Sequence, residues 1–282
     1  MDYLSYIKPK CTSHGSFSDA KSMLAWVFRS LFGFSFGLDP RILQWMKSWA
    51  REKPKSVKFD TDKNGWDIDL IIDYWSRQPP NDKLTTVELG YKALSLFAVA
   101  VYPRPSDLAR LSRDKFEVLA HGVRYRYFGT KELHAVPKFT QQHGLGLDMH
   151  EKVCPARALE AYIARTADPA SYIHADAAYN FEHVFVSQYP ATHGPYKGMH
   201  HPVGAQTCSR WMREVMTRVN ISPEYGGGSV RMAAASAAID NGVAIDVVLH
   251  TGRWHSWTVF NKFYNRAKLR AVVPLVGRTS MA

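Results

Sequence analysis

The chain has 282 residues, of which 46% are hydrophobic and 13% aromatic. This composition provides for a substantial core and excludes wholesale disorder, and the length suits one large domain or a small domain joined to a medium one. The formal net charge of +11 predicts a polyanionic partner, most often a nucleic acid and less often an anionic membrane surface.

The cysteines Cys11, Cys154 and Cys208 are far apart and form no Cys-x-x-Cys pair. Their spacing argues for a reducing compartment and against a zinc module or a disulfide framework. The sequence has no run of about 18 apolar residues and no apolar signal segment at its start. It therefore predicts a soluble intracellular protein without a membrane span.

Residues 1–55 predict a short helical N-terminal segment. Apolar side chains recur at three- and four-residue spacing between residues 17 and 36. Asp39-Pro40 is a typical helix start, with aspartate as the cap and proline in the first turn. The basic run from Arg51 to Lys58 is broken by Pro54 and predicts a linker. We therefore expect a domain boundary near residue 56.

Residues 56–266 predict a larger, mainly helical domain, followed by a C-terminal tail over residues 267–282. The same periodicity and capping signals apply along this part of the chain. Helices are expected at Trp66–Trp75, at Thr85–Val101, from Ser106 to Leu111, after Cys154-Pro155, at Cys208–Val219, at 229–241 and at 244–250, and a short strand at His183–Ser187.

Between residues 115 and 138 the hydrophobic period changes from helical to alternating. His121-Gly122 and Gly129-Thr130 are typical turns inside this stretch. The alternating positions are Phe116, Val118, Val123, Tyr125 and Tyr127. The expected fold class is therefore mainly α with a small antiparallel β-sheet, an α+β arrangement behind the short helical N-terminal segment.

Several residues together match the needs of one reaction, the cleavage of a phosphodiester without metal or ATP. Paired guanidiniums neutralise the nonbridging oxygens through bidentate, charge-assisted bonds, and a lysine or histidine protonates the leaving oxygen. A tyrosine with a pKa of about 10 gives a covalent bond that can be reversed. The chain supplies, in order, Arg104, Lys131, Arg231, Trp254 with His255, and Tyr264.

These residues resemble the motifs of tyrosine recombinases of the phage-integrase family, in particular those of DIRS-like, Ngaro-like and Crypton-like eukaryotic mobile elements. Arg104-Pro-Ser-Asp107-Leu-Ala-Arg-Leu111 is similar to the family's first box, and Lys131 before Glu132 and Val136-Pro137 resembles its hairpin lysine. The stretch from Arg231 to Trp254 resembles the second arginine with its helix and Gly-x-Trp turn. Tyr264 in Lys-Phe-Tyr-Asn-Arg resembles the nucleophile, and the resemblance covers residues 60–266.

The resemblance implies a tyrosine recombinase catalytic-domain fold. It also implies site-specific DNA cleavage and rejoining through a 3′-phosphotyrosyl intermediate, in the integration or recombination of a mobile element. Tyr264 would attack the scissile phosphate held by Arg104 and Arg231, Lys131 would protonate the leaving 5′-oxygen, and Asp107 would orient Arg104.

The same resemblance implies the partners of the protein. It predicts double-stranded DNA as the partner, a homo-tetramer on two DNA sites, a location in the nucleus, and no cofactor, metal or membrane. The tail at residues 267–282 corresponds to the segment that family members often pass to a neighbouring protomer.

Two parts of the chain depart from the family pattern. The family usually has a histidine three residues before its second arginine, where this chain has Gly228. Counted back from Tyr264, His255 takes the place of the third-box histidine, whereas counted forward from Gly252 that place falls to Trp254. The family's N-terminal clamp has four or five helices, and two are expected here before residue 56.

Other hypotheses explain part of the pattern. A DNA-binding relic of the same fold would keep the charge and lose catalysis, a type IB topoisomerase-like enzyme would share the chemistry, and a basic protein that binds RNA or a membrane surface would account for the charge alone. Tyr225 is the alternative nucleophile. The remaining histidines, His193, His200 and His201, lie among Pro, Gly and Lys without a cysteine or acidic ligand at a useful spacing, which argues against a metal site.

Overall fold

The computed structural model describes residues 6, 10, 14–33, 39–44, 47, 65–130, 138–148, 150–176 and 179–265. The chain divides into two compact units, Met1–Lys63 and Asn64–Ala282. The expected linker at 51–58, the boundary expected near residue 56 and the tail at 267–282 lie outside the described residues.

The first unit contains helix α1 (His14–Phe32), which confirms a helix in the region 17–36 but begins three residues earlier than expected and ends at Phe32. The helix ends before Gly33, whose φ of +67° is a left-handed conformation that glycine adopts without a steric penalty. A second helical stretch includes residues 40–44. Its start is capped by Asp39, whose carboxylate accepts a hydrogen bond from the backbone N–H of Arg41 at 2.9 Å.

The second unit is mainly helical, and the helices expected for it are observed, with boundaries that differ by a few residues. Helix α9 has no counterpart among the expected helices. None of the helices in the described part of the chain combines the length and apolar character needed to cross a membrane. The helices are α2 (Asp69–Arg77), α3 (Thr86–Val101), α4 (Pro105–Leu108), α5 (Pro155–Arg165), α6 (Ala205–Arg218), α7 (Ser229–Asp240), α8 (Ile245–Gly252) and α9 (Trp257–Phe263).

Helix α3 is the central helix of the core. The Thr85 hydroxyl caps it by accepting from the backbone N–H of Glu88 at 3.2 Å. Along the helix, Leu89, Leu94 and Phe97 are completely buried, and the helix packs against α5, α6 and α7. This nearly all-round burial explains why its sequence is apolar on more than one face.

Helix α4 is shorter than the sequence predicts. It ends at Leu108 rather than continuing to Leu111. Leu111 forms an antiparallel bridge with Tyr127, and the backbone N–H of Ser112 donates to the Arg126 carbonyl at 3.0 Å. Because these backbone groups pair with the sheet region, they are not available for another helical turn.

The expected antiparallel sheet is confirmed, with three strands in the order β1 (Glu117–Leu119), β2 (Gly122–Tyr125) and β3 (His143–Gly146). In the register of the sheet, Val123 of β2 pairs with Val118 of β1 and with Leu145 of β3. The third strand lies beyond the range in which the alternation was seen. The alternation also fails to bury β1, since Val118 is 53% exposed.

The strand expected at His183–Ser187 is wrong in its position. A two-stranded sheet forms earlier, from β4 (Ala175–Asp176) and β5 (Tyr179–Glu182). The following residues make only isolated bridges in the described structure, Ser112 with His183 and Val186 with Pro202. At the second bridge the backbone N–H groups of Ser187 and Val203 donate to the carbonyls of His201 and Phe185.

Candidate functional site

The ends of several helices of the second unit meet around the side chain of Arg231. Arg231 is in the first turn of α7, and its Nη1 donates to the carbonyl of Tyr102 just beyond α3. Its Nη2 donates to the carbonyl of Gly252, the last residue of α8, at 2.5 Å. The guanidinium thus joins three helix ends, two of them through the carbonyls that helix termini leave unpaired.

Arg231 is a buried cation whose hydrogen-bond donors are only partly paired with described residues. The residue is 3% exposed, and its Nε has no hydrogen-bond partner among the described residues. Burial, followed by the positive charge of Arg104, lowers the pKa of Arg231 to about 10, while Tyr264 and Asp107 act in the opposite direction. The group therefore stays protonated at neutral pH, and a buried donor without a partner is unfavourable until an acceptor arrives.

Two aromatic rings cover this guanidinium. The ring of Trp254 lies 3.8 Å and that of Tyr264 5.5 Å from Arg231 Cζ, within the range of cation–π attraction. The two ring centroids are 5.1 Å apart. Trp254 is 8% exposed, and its indole Nε1 is buried without a hydrogen-bond partner in the described part of the chain.

Tyr264 is fixed from two sides, although it follows the last residue of α9. Its backbone N–H donates to the Phe260 carbonyl at 2.7 Å, and its own carbonyl accepts from the Ser236 hydroxyl of α7 at 3.0 Å. Its ring also stacks on that of Phe260 at 6.4 Å. These contacts hold the phenol beside Arg231.

Arg104 and Asp107 form the next part of the site. The backbone N–H of Arg104 donates to Asp107 Oδ2 at 2.9 Å, and Arg104 Nη1 lies 3.9 Å from the same oxygen. The Asp107 side chain is 1% exposed and that of Arg104 is 27% exposed. Because both Arg104 and Asp107 affect the pKa of Arg231, the two arginines and the carboxylate share one electrostatic environment.

The structure therefore brings together Arg104, Asp107, Arg231, Trp254 and Tyr264. The other candidates are placed differently. His255 is exposed, and no hydrogen bond, ion pair or ring contact joins it to another described residue. Lys131 lies outside the described residues, in the 131–137 segment.

Gly228, at the position where the family usually has histidine, is exposed and caps the N-terminus of α7. Its φ of −71° and ψ of −13° are open to any L-residue. Apart from the adjoining backbone, no heavy atom of the described residues lies within 4 Å of where a Cβ would stand. The backbone thus has space for a larger side chain at this position.

Arg253 is a site residue that the sequence patterns did not identify. Its φ of +56° places it in the left-handed conformation at the end of α8, and its Nη2 contacts Asp107 Oδ2. The one signal in the sequence is a basic residue at the variable position of the Gly-x-Trp turn.

His200 and His201 make contacts that stabilise the loops in which they lie. His200 Nδ1 is 2.6 Å from the Ser187 carbonyl, and its ring stacks on Tyr172. His201 stacks on Tyr196. Within the described ranges, no three His, Cys, Asp or Glu side chains are grouped so that they could hold a metal ion.

Comparison with known proteins gives matches in structure only. No protein-family model and no curated protein matches the sequence. The Tn1549 transposon integrase in complex with circular intermediate DNA matches with a TM-score of 0.53 and 10% identity over 93% of this chain and 78% of that chain. The XerA recombinase matches with a TM-score of 0.50 and 12% identity, over 94% of this chain and 83% of its own.

The XerH site-specific recombinase bound to its difH substrate matches with a TM-score of 0.50 and 14% identity, over 86% of this chain and 66% of that chain. At identities this low, the likeness concerns the fold. The mainly helical arrangement with its small three-stranded antiparallel sheet is the fold of tyrosine recombinase catalytic domains.

Proposed function

We propose that this protein cleaves and rejoins double-stranded DNA at specific sites, with Tyr264 as the nucleophile. The observation that carries the proposal is the environment of Arg231. Its buried guanidinium lies against the ring of Tyr264, close to Arg104, and one of its buried donors has no partner among the described residues. A phosphodiester oxygen is an acceptor that suits such a donor.

The chemistry follows from the charges around the phosphate. Arg104 and Arg231 bind the nonbridging oxygens and stabilise the negative charge that develops on them. The half-buried Tyr264 phenol loses its proton to solvent water, and its oxygen attacks phosphorus. The bond to the 5′-oxygen breaks, and a 3′-phosphotyrosyl link forms. Lys131 gives its proton to the leaving 5′-oxygen. Because the phenol is a good leaving group, attack by a 5′-hydroxyl reverses the step and rejoins DNA.

Trp254 takes the third-box role in this proposal, rather than His255. Trp254 is buried against both Arg231 and Tyr264, and its indole N–H has no partner among the described residues. An indole N–H is a donor only, so it can bind a phosphate oxygen but cannot move the tyrosine proton. His255, which is exposed, has no described contact with the cluster.

The proposed partners follow from charge and from resemblance. A net charge of +11 favours a polyanion, and the structural neighbours Tn1549 integrase and XerH are described in complex with DNA. The motifs resemble those of DIRS-like, Ngaro-like and Crypton-like elements. We therefore extend the proposal to the recombination of a mobile element in the nucleus, by a tetramer on two DNA sites.

The test uses nicked suicide duplexes drawn from the flanks of the element that encodes the protein. A nick releases the short product, so that the covalent intermediate accumulates and can be read on a denaturing gel. We expect an adduct with the wild type and none with Tyr264→Phe. The matched control is Tyr225→Phe, which removes a hydroxyl from a tyrosine that packs against the same core.

The outcomes separate the candidate nucleophiles. An adduct that persists in Tyr264→Phe and disappears in Tyr225→Phe would assign the reaction to Tyr225. Gly228 favours a second candidate function, a DNA-binding relic, because this position has no side chain to move a proton. That candidate predicts tight binding to the duplexes and no adduct with any variant.

A further inference from the structure

Arg253 lies in the same cluster and has no role in the mechanism described so far. It follows Gly252, where a Cβ would overlap the Trp254 ring, so that residue 252 has to be glycine. Arg253 itself takes the left-handed conformation, with φ of +56°, which costs a non-glycine residue free energy. This tight turn places the Arg253 side chain at Asp107 and the Trp254 side chain at Arg231.

The contacts of Arg253 place its charge on Asp107. Arg253 Nη2 contacts Asp107 Oδ2, and the Arg253 side chain is 12% exposed. Both of its Nη atoms are shielded from solvent. The guanidinium also lies over the Tyr127 ring, with Cζ 4.5 Å from the centroid. This contact places the positive charge of Arg253 next to the carboxylate that Arg104 also approaches.

Two described groups near Arg253, His143 and Tyr127, are neutral at pH 7. Burial, followed by the charge of Arg253 and then His250, lowers the pKa of His143 to about 4. The His143 imidazole consequently carries no charge at neutral pH. Burial also raises the pKa of Tyr127 well above its usual value, so its phenol keeps its proton. Asp107 is a carboxylate among the described residues that contacts Arg253.

Asp107 is shared unequally between two arginines. Its Oδ2 is in close contact with Arg253 but 3.9 Å from Arg104 Nη1. Arg104 is also the more exposed of the two, at 27% against 12%. If Arg253 were absent, Asp107 would pair with Arg104 and cancel its charge.

We propose that Arg253 is a positioning residue that neutralises Asp107, so that Arg104 and Arg231 keep their charge for a phosphate. This inference rests on the proposed function and deepens it, because it concerns how the same site stays positive although residue 228 supplies no imidazole. Counted over the described residues, the three arginines and one aspartate of the cluster carry a net charge of about plus two at neutral pH. Without Arg253 the charge falls to about plus one.

The test measures binding of inorganic phosphate to the free protein, as the rise in melting temperature over chloride at equal ionic strength. We expect Arg253→Gln to bind phosphate about tenfold more weakly than the wild type, because a nearby positive charge is lost. Arg253→Lys keeps the charge and should stay within about threefold of the wild type. The melting curves also show that each variant folds.

A charge-compensating double variant separates this role from a merely structural one. Asp107→Asn keeps an oxygen that can accept from the Arg104 N–H and removes the negative charge. The double variant with Arg253→Gln should recover most of the phosphate affinity, although both members of the ion pair are gone. The control is Arg218→Gln, which breaks another arginine–carboxylate pair, with Glu88, and should lower the melting temperature without changing the phosphate-dependent rise.

Several results would overturn the proposal. They are full phosphate affinity in Arg253→Gln, no recovery in the double variant, a complete loss in Arg253→Lys, and no phosphate-dependent rise in the wild type. The suicide duplexes test the proposed function separately. If phosphate binding depends on Arg253 as expected but no variant forms a DNA adduct, the site binds phosphate and the cleavage proposal alone fails.

Discussion

At the scale of single residues, the chain departs from the recombinase pattern at Gly228, and the backbone there can accept a side chain. It has helical φ and ψ, is exposed, and has open space around the position of a Cβ. We expect Gly228→His to raise the rate of adduct formation on a suicide duplex by about 10²-fold, since a general acid or base typically contributes at least that much. Single-turnover measurements of the adduct test this expectation.

The matched control for this substitution is Gly226→His. Gly226 is also exposed and has open space around its Cβ position, but it lies two residues further from α7. A histidine there adds the same chemical group without the His-x-x-Arg spacing. Equal stimulation by both variants would show that the gain comes from charge or buffering in the loop rather than from a positioned imidazole.

Arg231 shows why residue-scale chemistry depends on burial. An exposed arginine would keep most of its hydration and would gain little from binding a phosphate. Arg231 is 3% exposed, and one of its donors has no hydrogen-bond partner in the part of the chain that the structure describes. A phosphate oxygen then replaces an unsatisfied state rather than a solvated one, and charge-assisted hydrogen bonds of this kind are among the strongest in proteins.

At the scale of elements, helix α3 contains an unusual buried lysine. Lys92 is completely buried, and its Nζ has no hydrogen-bond partner in the described ranges. Burial, and then the charge of Lys152, lowers the pKa of Lys92 to about 8. A buried ammonium without a partner destabilises the folded state as long as it stays charged.

The pH dependence of stability follows from this pKa. The unfolded chain keeps the Lys92 proton up to about 10.5, whereas the folded protein releases it at about 8. Between these values the unfolded state binds more protons, so the contribution of Lys92 to stability becomes more favourable as pH rises. We expect Lys92→Met to be more stable than the wild type at pH 7. That advantage should shrink by about 2–3 kcal/mol between pH 8 and pH 10.

Urea unfolding at a series of pH values, followed by circular dichroism, measures this difference. Lys83→Met is the matched control, because Lys83 is exposed at a turn next to the same helix. The difference in free energy of unfolding between Lys83→Met and the wild type should not change between pH 8 and pH 10. If the difference for Lys92→Met were also constant, Lys92 would have the same pKa in the folded and unfolded states.

The turn between α8 and α9 shows how backbone geometry positions chemistry. Gly252 has no Cβ, and the Trp254 ring occupies the space that a Cβ would need. The Gly252 carbonyl accepts from Arg231 Nη2. One turn therefore supplies an acceptor for the buried cation, the ring that covers it and the Arg253 side chain that reaches Asp107.

At the scale of the whole molecule, the net charge of +11 leads to a prediction about salt. If about six phosphates are contacted, the affinity for duplex DNA should fall about a thousandfold between about 50 and about 200 mM salt, because neutralised phosphates release their counterions. Fluorescence anisotropy with labelled duplexes measures this slope. Tyr264→Phe should bind with the same slope, since the phenol contributes no charge. A salt-independent affinity would contradict binding through the phosphate backbone.

The sequence by itself determined most helices of the second unit and the existence of the small sheet. Segments such as the apolar α3 and the periodic α6 form where the sequence predicts them, because their apolar residues can be buried only when the segment is helical. The error at His183–Ser187 has another cause. Whether an apolar run pairs as a strand depends on its partner, and the partner at Val186 is Pro202, which is remote in the sequence.

The sequence also supplied the order of Arg104, Arg231 and Tyr264, because reactive side chains can be recognised by type and spacing. It could not choose between Trp254 and His255, which are neighbours in the chain. Only the tertiary structure buried the indole against Arg231 and left the imidazole exposed. It also brought Arg253 to Asp107 across more than a hundred residues. Burial and long-range charge pairing arise when distant segments pack, so no local pattern contains them.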